Sequence, residues 1–223
     1  MVSWRVIIPP IKSLAEGLNG PSAGHWLDAL NKEHDNLVNF GTYRLIKLPS
    51  GRRAIGSTYA FSVKSNKDGT VDKFKVRICA QGFSQRAGVD FSETFSPVCH
   101  LESVRSILAI SAQHELKLRQ ADVVGAFLQG KLDEEIYMKP PKGAPGSTRD
   151  DRVWLLLKSL YGLKQAGRVW NQRLHTFLVN QCKFIRTCAD PYIYTKRDGS
   201  ILMIIAVHVD DMLIAHNHDE SCA

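Results

Sequence analysis

Residues 201–215 read ILMIIAVHVDDMLIA: one apolar run, two adjacent acids at Asp210 and Asp211, then a second apolar run. Short apolar runs bounded by turn residues are the pattern of buried strands. The acid pair is therefore expected at the connection between two neighbouring strands, at one end of a core. Just upstream, PYIYTKRDGS reads as a further strand and a turn around Asp198-Gly199. Adjacent acids at a tight turn are common, and alone the pair reads as an ordinary turn. Two carboxylates held at the end of a core repel, however, and are costly to keep ionised unless cations compensate.

Working outward, QADVVGAFLQG places a single acid, Asp122, at the end of a probable strand, with small and apolar residues after it. Before it, ESVRSILAISAQHEL carries Val104, Ile107, Leu108 and Ser111 at helical spacing. After it come a Pro/Gly-rich connection from Pro140 to Gly146 and the strand RVWLLLK. Ala166, Val169, Trp170, Leu174, Phe177 and Leu178 then trace an amphipathic helix. Near the start, Trp26, Ala29, Leu30, Leu37 and Val38 predict a helix between Ser22 and Gly41. TYRLIKLP reads as extended, and STYAFSVKSNKDGTVDKFKVRICAQG as a hairpin turning at Asp68-Gly69, where positive φ values are readily taken. Alternation along its second strand puts Phe74, Val76 and Ile78 on one face and Lys73, Lys75 and Arg77 on the other. Helices and strands in this order predict an α+β fold rather than a regular βαβ repeat.

The formal net charge is +7, and residues 44–86 alone hold ten Lys/Arg against two acids. A basic stripe so concentrated is the footprint of a phosphate-bearing partner. At 44% hydrophobic and 23% charged, the chain lies in the ordinary globular range. The longest apolar run, Ile201–Val207, is too short for a membrane span, and MVSWRVIIPP lacks the pattern of a secretory signal, so an intracellular protein is expected. Five cysteines without close CxxC spacing (Cys79, Cys99, Cys182, Cys188, Cys222) read as free, mostly buried thiols. His216, His218 and Cys222 could in principle ligate a metal, but near the chain end they read as a solvated tail.

Three acids and a remote cationic strand suit two-metal phosphoryl transfer. The blocks that carry this pattern, W..AL..E from Trp26 to Glu33, LPSGRRAIGSTYAFSVKSNKDGTVDKFKVRICAQGFSQRAGVDFSETFSPV, ADVVGAFLQGKLDEEIYMKPPKG, LLKSLYGLKQAGRVWNQRL and VHVDDMLIA, run in one order from about Trp26 to Ala215. Their sequence resembles the reverse transcriptase of copia-type LTR retrotransposons. The resemblance implies a right-hand polymerase with fingers mainly at 41–100 and 131–164, and a partial palm mainly at 101–130 and 165–215. The palm would be an antiparallel sheet with packed helices. Residues 1–20 look unlike the family, and 21–223 read as a fingers/palm fragment. By the same resemblance, Asp122, Asp210 and Asp211 hold two Mg²⁺ ions, with Mn²⁺ as a possible substitute. Lys64, Lys73, Lys75 and Arg77 lie where the fingers hairpin grips the triphosphate. Val123 and Phe127 border the incoming nucleotide, with Phe127 as the gate against a ribose 2′-hydroxyl. Gln165 lies near the nucleotide sugar and template, and His208 beside the primer end. The implied partners are an RNA or DNA template with primer and deoxynucleoside triphosphates, in the cytoplasm (virus-like particle) or nucleus, with no membrane.

Three departures are visible. His208 stands where the family usually has tyrosine, and Gly167 where it has the proline of KQAPR. Only twelve residues follow Asp211, so the primer-gripping hairpin, thumb and ribonuclease H domain are expected to be missing. A catalytically inactive transposon remnant with weak nucleic-acid binding is the alternative expectation. A metal-dependent nuclease or integrase would also use three carboxylates, and the basic hairpin argues against it.

Overall fold

The computed structural model describes residues 11–96, 98–143 and 152–218. Along the chain the elements are α1 (Leu14–Leu18), α2 (Ala23–Asn39), β1 (Tyr43–Lys47), β2 (Ala54–Ile55), β3 (Ser57–Ser65) and β4 (Val71–Ala80). Then follow α3 (Leu101–Gln113), β5 (Lys117–Asp122), α4 (Ala126–Gln129), β6 (Lys131–Met138), β7 (Arg152–Lys158) and α5 (Ala166–Thr176). The last strands are β8 (Ile185–Arg186), β9 (Ile193–Asp198), β10 (Ile201–His208) and β11 (Asp211–His216). Several sheets with few helices make a mixed α/β chain, in two compact units: residues 1–93 with 127–166, and 94–126 with 167–223. No helix among the described residues is long and apolar enough to cross a membrane.

In the first unit, α2 buries the stripe Trp26, Leu30 and Leu37. It stops at Gly41, whose φ of 60° suits glycine. Gly41 N–H donates to Val38 O and Thr42 N–H to Leu37 O, the paired bonds that close a helix on a left-handed residue. Trp26 and Leu30 pack against Phe61, Phe74 and Val76, the inner face of the β3/β4 hairpin. The hairpin register sets Val63 opposite Phe74 and Phe61 opposite Val76, as the alternation predicts. Its turn differs from the expected one. Only Gly69 takes a positive φ (86°), while Asp68 keeps the loop through its side chain, accepting the amide and hydroxyl of Thr70 at 2.9 and 2.6 Å. A second sheet, ordered β1-β7-β6-β2, buries Ile136, Met138, Trp154 and Leu156. Strand β6 was not anticipated, because its first half, KLDEE, is polar and only Ile136–Met138 are buried.

The second unit is a five-stranded antiparallel sheet ordered β5-β11-β10-β9-β8. Met203–Val207 are buried on both faces, which explains the uninterrupted apolar run. Cys99, Val104 and Ile107, in and just before α3, pack against Ile204, Ala206 and Leu213. The buried Asp190 ties α3 to this sheet, accepting Ser103 Oγ at 2.6 Å and the backbone N–H groups of His100 and Tyr192 at 2.9 and 3.0 Å. His216 corrects the solvated-tail expectation: it ends β11, is fully buried, and its Nδ1 lies 2.8 Å from the His218 carbonyl. Of the four described cysteines, all free, only Cys99 is buried, Cys79 and Cys182 are half-buried and Cys188 is exposed; Cys222 lies outside the described residues.

Candidate active site

The hairpin β10/β11 pairs His208 with Asp211, so its turn consists of Val209 and Asp210. Val209 adopts φ 60°, the left-handed region that costs a β-branched residue about 1–3 kcal/mol. Two contacts hold it there. Trp170 Nε1, on α5, donates to the Val209 carbonyl at 2.6 Å, and Val123 N–H, just past β5, donates to the Asp210 carbonyl at 3.1 Å. The apolar stripe of α5 accounts for Trp170 as core, but its pinning of the turn was not legible there.

Strand β11 also pairs with β5, setting Asp211 directly opposite Asp122. Directly opposed residues project from the same sheet face with Cβ atoms about 5 Å apart. His208, Asp211 and Asp122 thus form one exposed row across three strands, and Asp210 sits beside it on the turn, half-exposed. Gln120 Nε2 donates to Asp211 Oδ1 at 3.4 Å. No Lys, Arg or His side chain pairs with any of the three acids among the described residues. Nor do three Asp, Glu, His or Cys side chains converge closely enough there to enclose a metal ion. The donors are nonetheless hard carboxylate oxygens, grouped by register and uncompensated, which suits Mg²⁺ in kind. A cavity of about 380 Å³, lined by His208, Asp211 and Gln120 together with Cys99, Val104 and Leu213, opens beside the row.

The first unit carries the remaining candidates. Lys64 pairs with Lys73, and Lys75 and Arg77 follow on the same outer hairpin face, opposite the small Ser62 and Ala60. Burial and the repulsion of Arg77, Lys64 and Lys73 hold the Lys75 ammonium below the usual lysine range. A face in that state gains from any bound anion. The Arg77 guanidinium lies 4.6 Å above the Tyr161 ring, and Phe127 meets the same ring edge-on at 5.2 Å and 73°. Tyr161 therefore joins two predicted residues although the sequence did not single it out. Gln165 is 1% exposed, with its amide engaged: Nε2 donates to the Asp90 carbonyl at 2.8 Å and to Glu134 at 3.3 Å, and Oε1 accepts from Gln85 at 3.0 Å.

A family model described as reverse transcriptase (RNA-dependent DNA polymerase) matches residues 40–221. The chain is similar to the retrovirus-related Pol polyprotein from transposon TNT 1-94 of Nicotiana tabacum, 40% identical over 204 residues, which cover 91% of this chain and 15% of that polyprotein. It is also similar to the Pol polyproteins from transposons RE2 and RE1 of Arabidopsis thaliana, at 37% and 36% identity, each match covering 86% of this chain and 13% of the relative. The chain thus spans a minor part of the length of these relatives. By motif order and by family match, it belongs to the reverse transcriptase (RNA-dependent DNA polymerase) family, as the domain of that kind found in copia-type Pol polyproteins.

Proposed function

We propose that the chain is the nucleotidyl-transfer core of an RNA-directed DNA polymerase. The palm is mainly 101–130 with 165–215, and the fingers mainly 41–100 with 131–164. The observation that carries this reading is the pairing of Asp211 with Asp122 beside the Asp210 turn, three carboxylates without a cationic partner among the described residues. Asp122, Asp210 and Asp211 would hold two Mg²⁺ ions, with Mn²⁺ able to substitute. When bound, the metals supply activation of the primer 3′-hydroxyl and neutralise charge on the departing diphosphate.

The chain's own residues supply the rest. Trp170 and Val123 fix the Asp210 turn, so that its carboxylate needs little reorganisation during reaction. Lys64, Lys73, Lys75 and Arg77 bind the triphosphate of the incoming deoxynucleotide, and Val123 borders its base and sugar. Phe127, braced on Tyr161, rejects a 2′-hydroxyl by bulk. Gln165 acts as a tie among Gln85, Asp90 and Glu134, and His208 contacts the primer end from its place in the row.

Primer extension on an RNA or DNA template, with Mg²⁺ and deoxynucleoside triphosphates, tests the reading. Incorporation by the parent chain that falls about 100- to 1000-fold or more in Asp210→Asn supports it, the scale expected when a principal charge-stabilising group is lost. No incorporation from a folded parent chain favours a non-catalytic remnant. Strand cleavage without triphosphate consumption favours a nuclease.

A further inference from the structure

The register of the second unit singles out Gln120. Leu213 pairs with Ala206 on one side and with Gln120 on the other. These three therefore form the row next to His208, Asp211 and Asp122, on the same face of the sheet. Two of its members are apolar, and Gln120, on the edge strand β5, is the polar one. An exposed glutamine on an edge strand ordinarily faces water. This one leaves its own row. Gln120 lies diagonal to Asp211, a separation that a long side chain spans, and its Nε2 stands 3.4 Å from Asp211 Oδ1.

The contact has a direction. An ionised carboxylate only accepts, so the amide nitrogen faces it. Among the described residues this is the one side-chain hydrogen bond made by any of the three acids, and it engages a single oxygen, leaving Asp211 Oδ2 open. Gln120 and Asp211 also line the cavity of about 380 Å³ together with Val104, Ala206 and Leu213. Beside such an apolar wall a hydrogen bond is electrostatically stronger than in open water.

The side-chain chemistry at this position matters as much as its reach. Lysine would extend as far but would bring a positive charge to the place where a divalent cation gains from the carboxylate. An aliphatic side chain would leave the Asp211 carboxylate free to turn about its broad terminal torsion. A long neutral donor restrains one oxygen and leaves the negative charge intact. At 3.4 Å the bond is long, so it steers the carboxylate rather than clamping it.

We propose that Gln120 is a positioning residue for Asp211, holding Oδ1 so that Oδ2 is presented to a divalent cation. This role rests on the reading of the three acids as a metal site. Mn²⁺ titration of the full chain, followed by electron paramagnetic resonance with Mg²⁺ as competitor, tests it without requiring polymerisation. Asp211→Asn identifies the Mn²⁺ held at the row. Gln120→Leu keeps the bulk and loses the amide, and is expected to weaken that binding about tenfold, the scale for losing a group that orients a metal ligand. Gln120→Lys keeps a donor but adds charge, and is expected to weaken it further. Metal affinity at the row would not move if Gln120 merely occupied the sheet edge. Asp211-dependent binding that stays within about twofold of the parent in Gln120→Leu overturns the role of Gln120 alone. Parent-like binding in Gln120→Lys does the same, since charge would then be immaterial there. A folded parent with no Asp211-dependent Mn²⁺ overturns the metal site and this role with it.

Discussion

Replacing Asp190 by alanine should cost the second unit about 3 kcal/mol. The carboxylate is 4% exposed and 87 residues from Ser103, yet it accepts that hydroxyl at 2.6 Å and two backbone N–H groups. The first residue before α3, His100, makes no side-chain cap of its own, so Asp190 supplies the negative charge at that helix start. Loss of a charge at a helix N-terminus costs about 0.5–1 kcal/mol. An orphaned, buried Tyr192 N–H adds about 1–3 kcal/mol, and the truncation void adds more. Burial alone would raise the Asp190 pKa; together the Ser103, His100 and Tyr192 hydrogen bonds outweigh it and hold the carboxyl below the ordinary 3.8. A depressed folded value means stability that is present above the unfolded value and lost as pH falls through the folded one. Urea denaturation followed by circular dichroism should therefore show a wild-type advantage that is constant at neutral and mildly acidic pH and shrinks below pH 3.8. Asp190→Asn, keeping one acceptor, should fall between. An alanine variant within about 0.5 kcal/mol of wild type, the range of an inconsequential surface change, would refute the reasoning.

Glu33 behaves oppositely. Burial raises its pKa despite the Ile78 N–H bond at 3.1 Å and the nearby Arg77 and Lys75, so its contribution is greatest at low pH and is lost as pH rises through the raised value. Glu33→Gln retains an acceptor without the charge and should be more stable than wild type by up to about 1 kcal/mol at neutral pH, the gap closing in acid; a less stable variant in a melting series would contradict this. Gly162→Ala, at φ 86° with an added Cβ 2.2 Å from the Ala80 carbonyl, should destabilise the first unit by more than about 2 kcal/mol, read as a lowered Tm. Tyr161→Leu removes the shared ring under Arg77 and Phe127 and should raise the KM for deoxynucleotides about fivefold while leaving Tyr161→Phe near normal; equal KM values for both variants would show that the ring does not position them.

Local chemistry made much of this molecule readable from its sequence. The Lys73/Lys75/Arg77 face, the Phe74/Val76/Ile78 face, the helix ending at Gly41 and the strand RVWLLLK follow from side-chain period and from glycine's freedom at positive φ, and each depends only on near neighbours. The acids, too, stand out as charges among apolar runs. Long-range pairing decided the rest. Only the strand order β5-β11-β10 brings Asp122 opposite Asp211, residues separated by almost ninety positions, and only α5 packing on that sheet lets Trp170 hold a valine in the left-handed region. Gln165, which the resemblance set near the nucleotide sugar and template, is buried with its amide taken up by Gln85, Asp90 and Glu134. Periodicity reports which face a residue takes within its own element; which residues meet across elements depends on the register and packing of the folded chain.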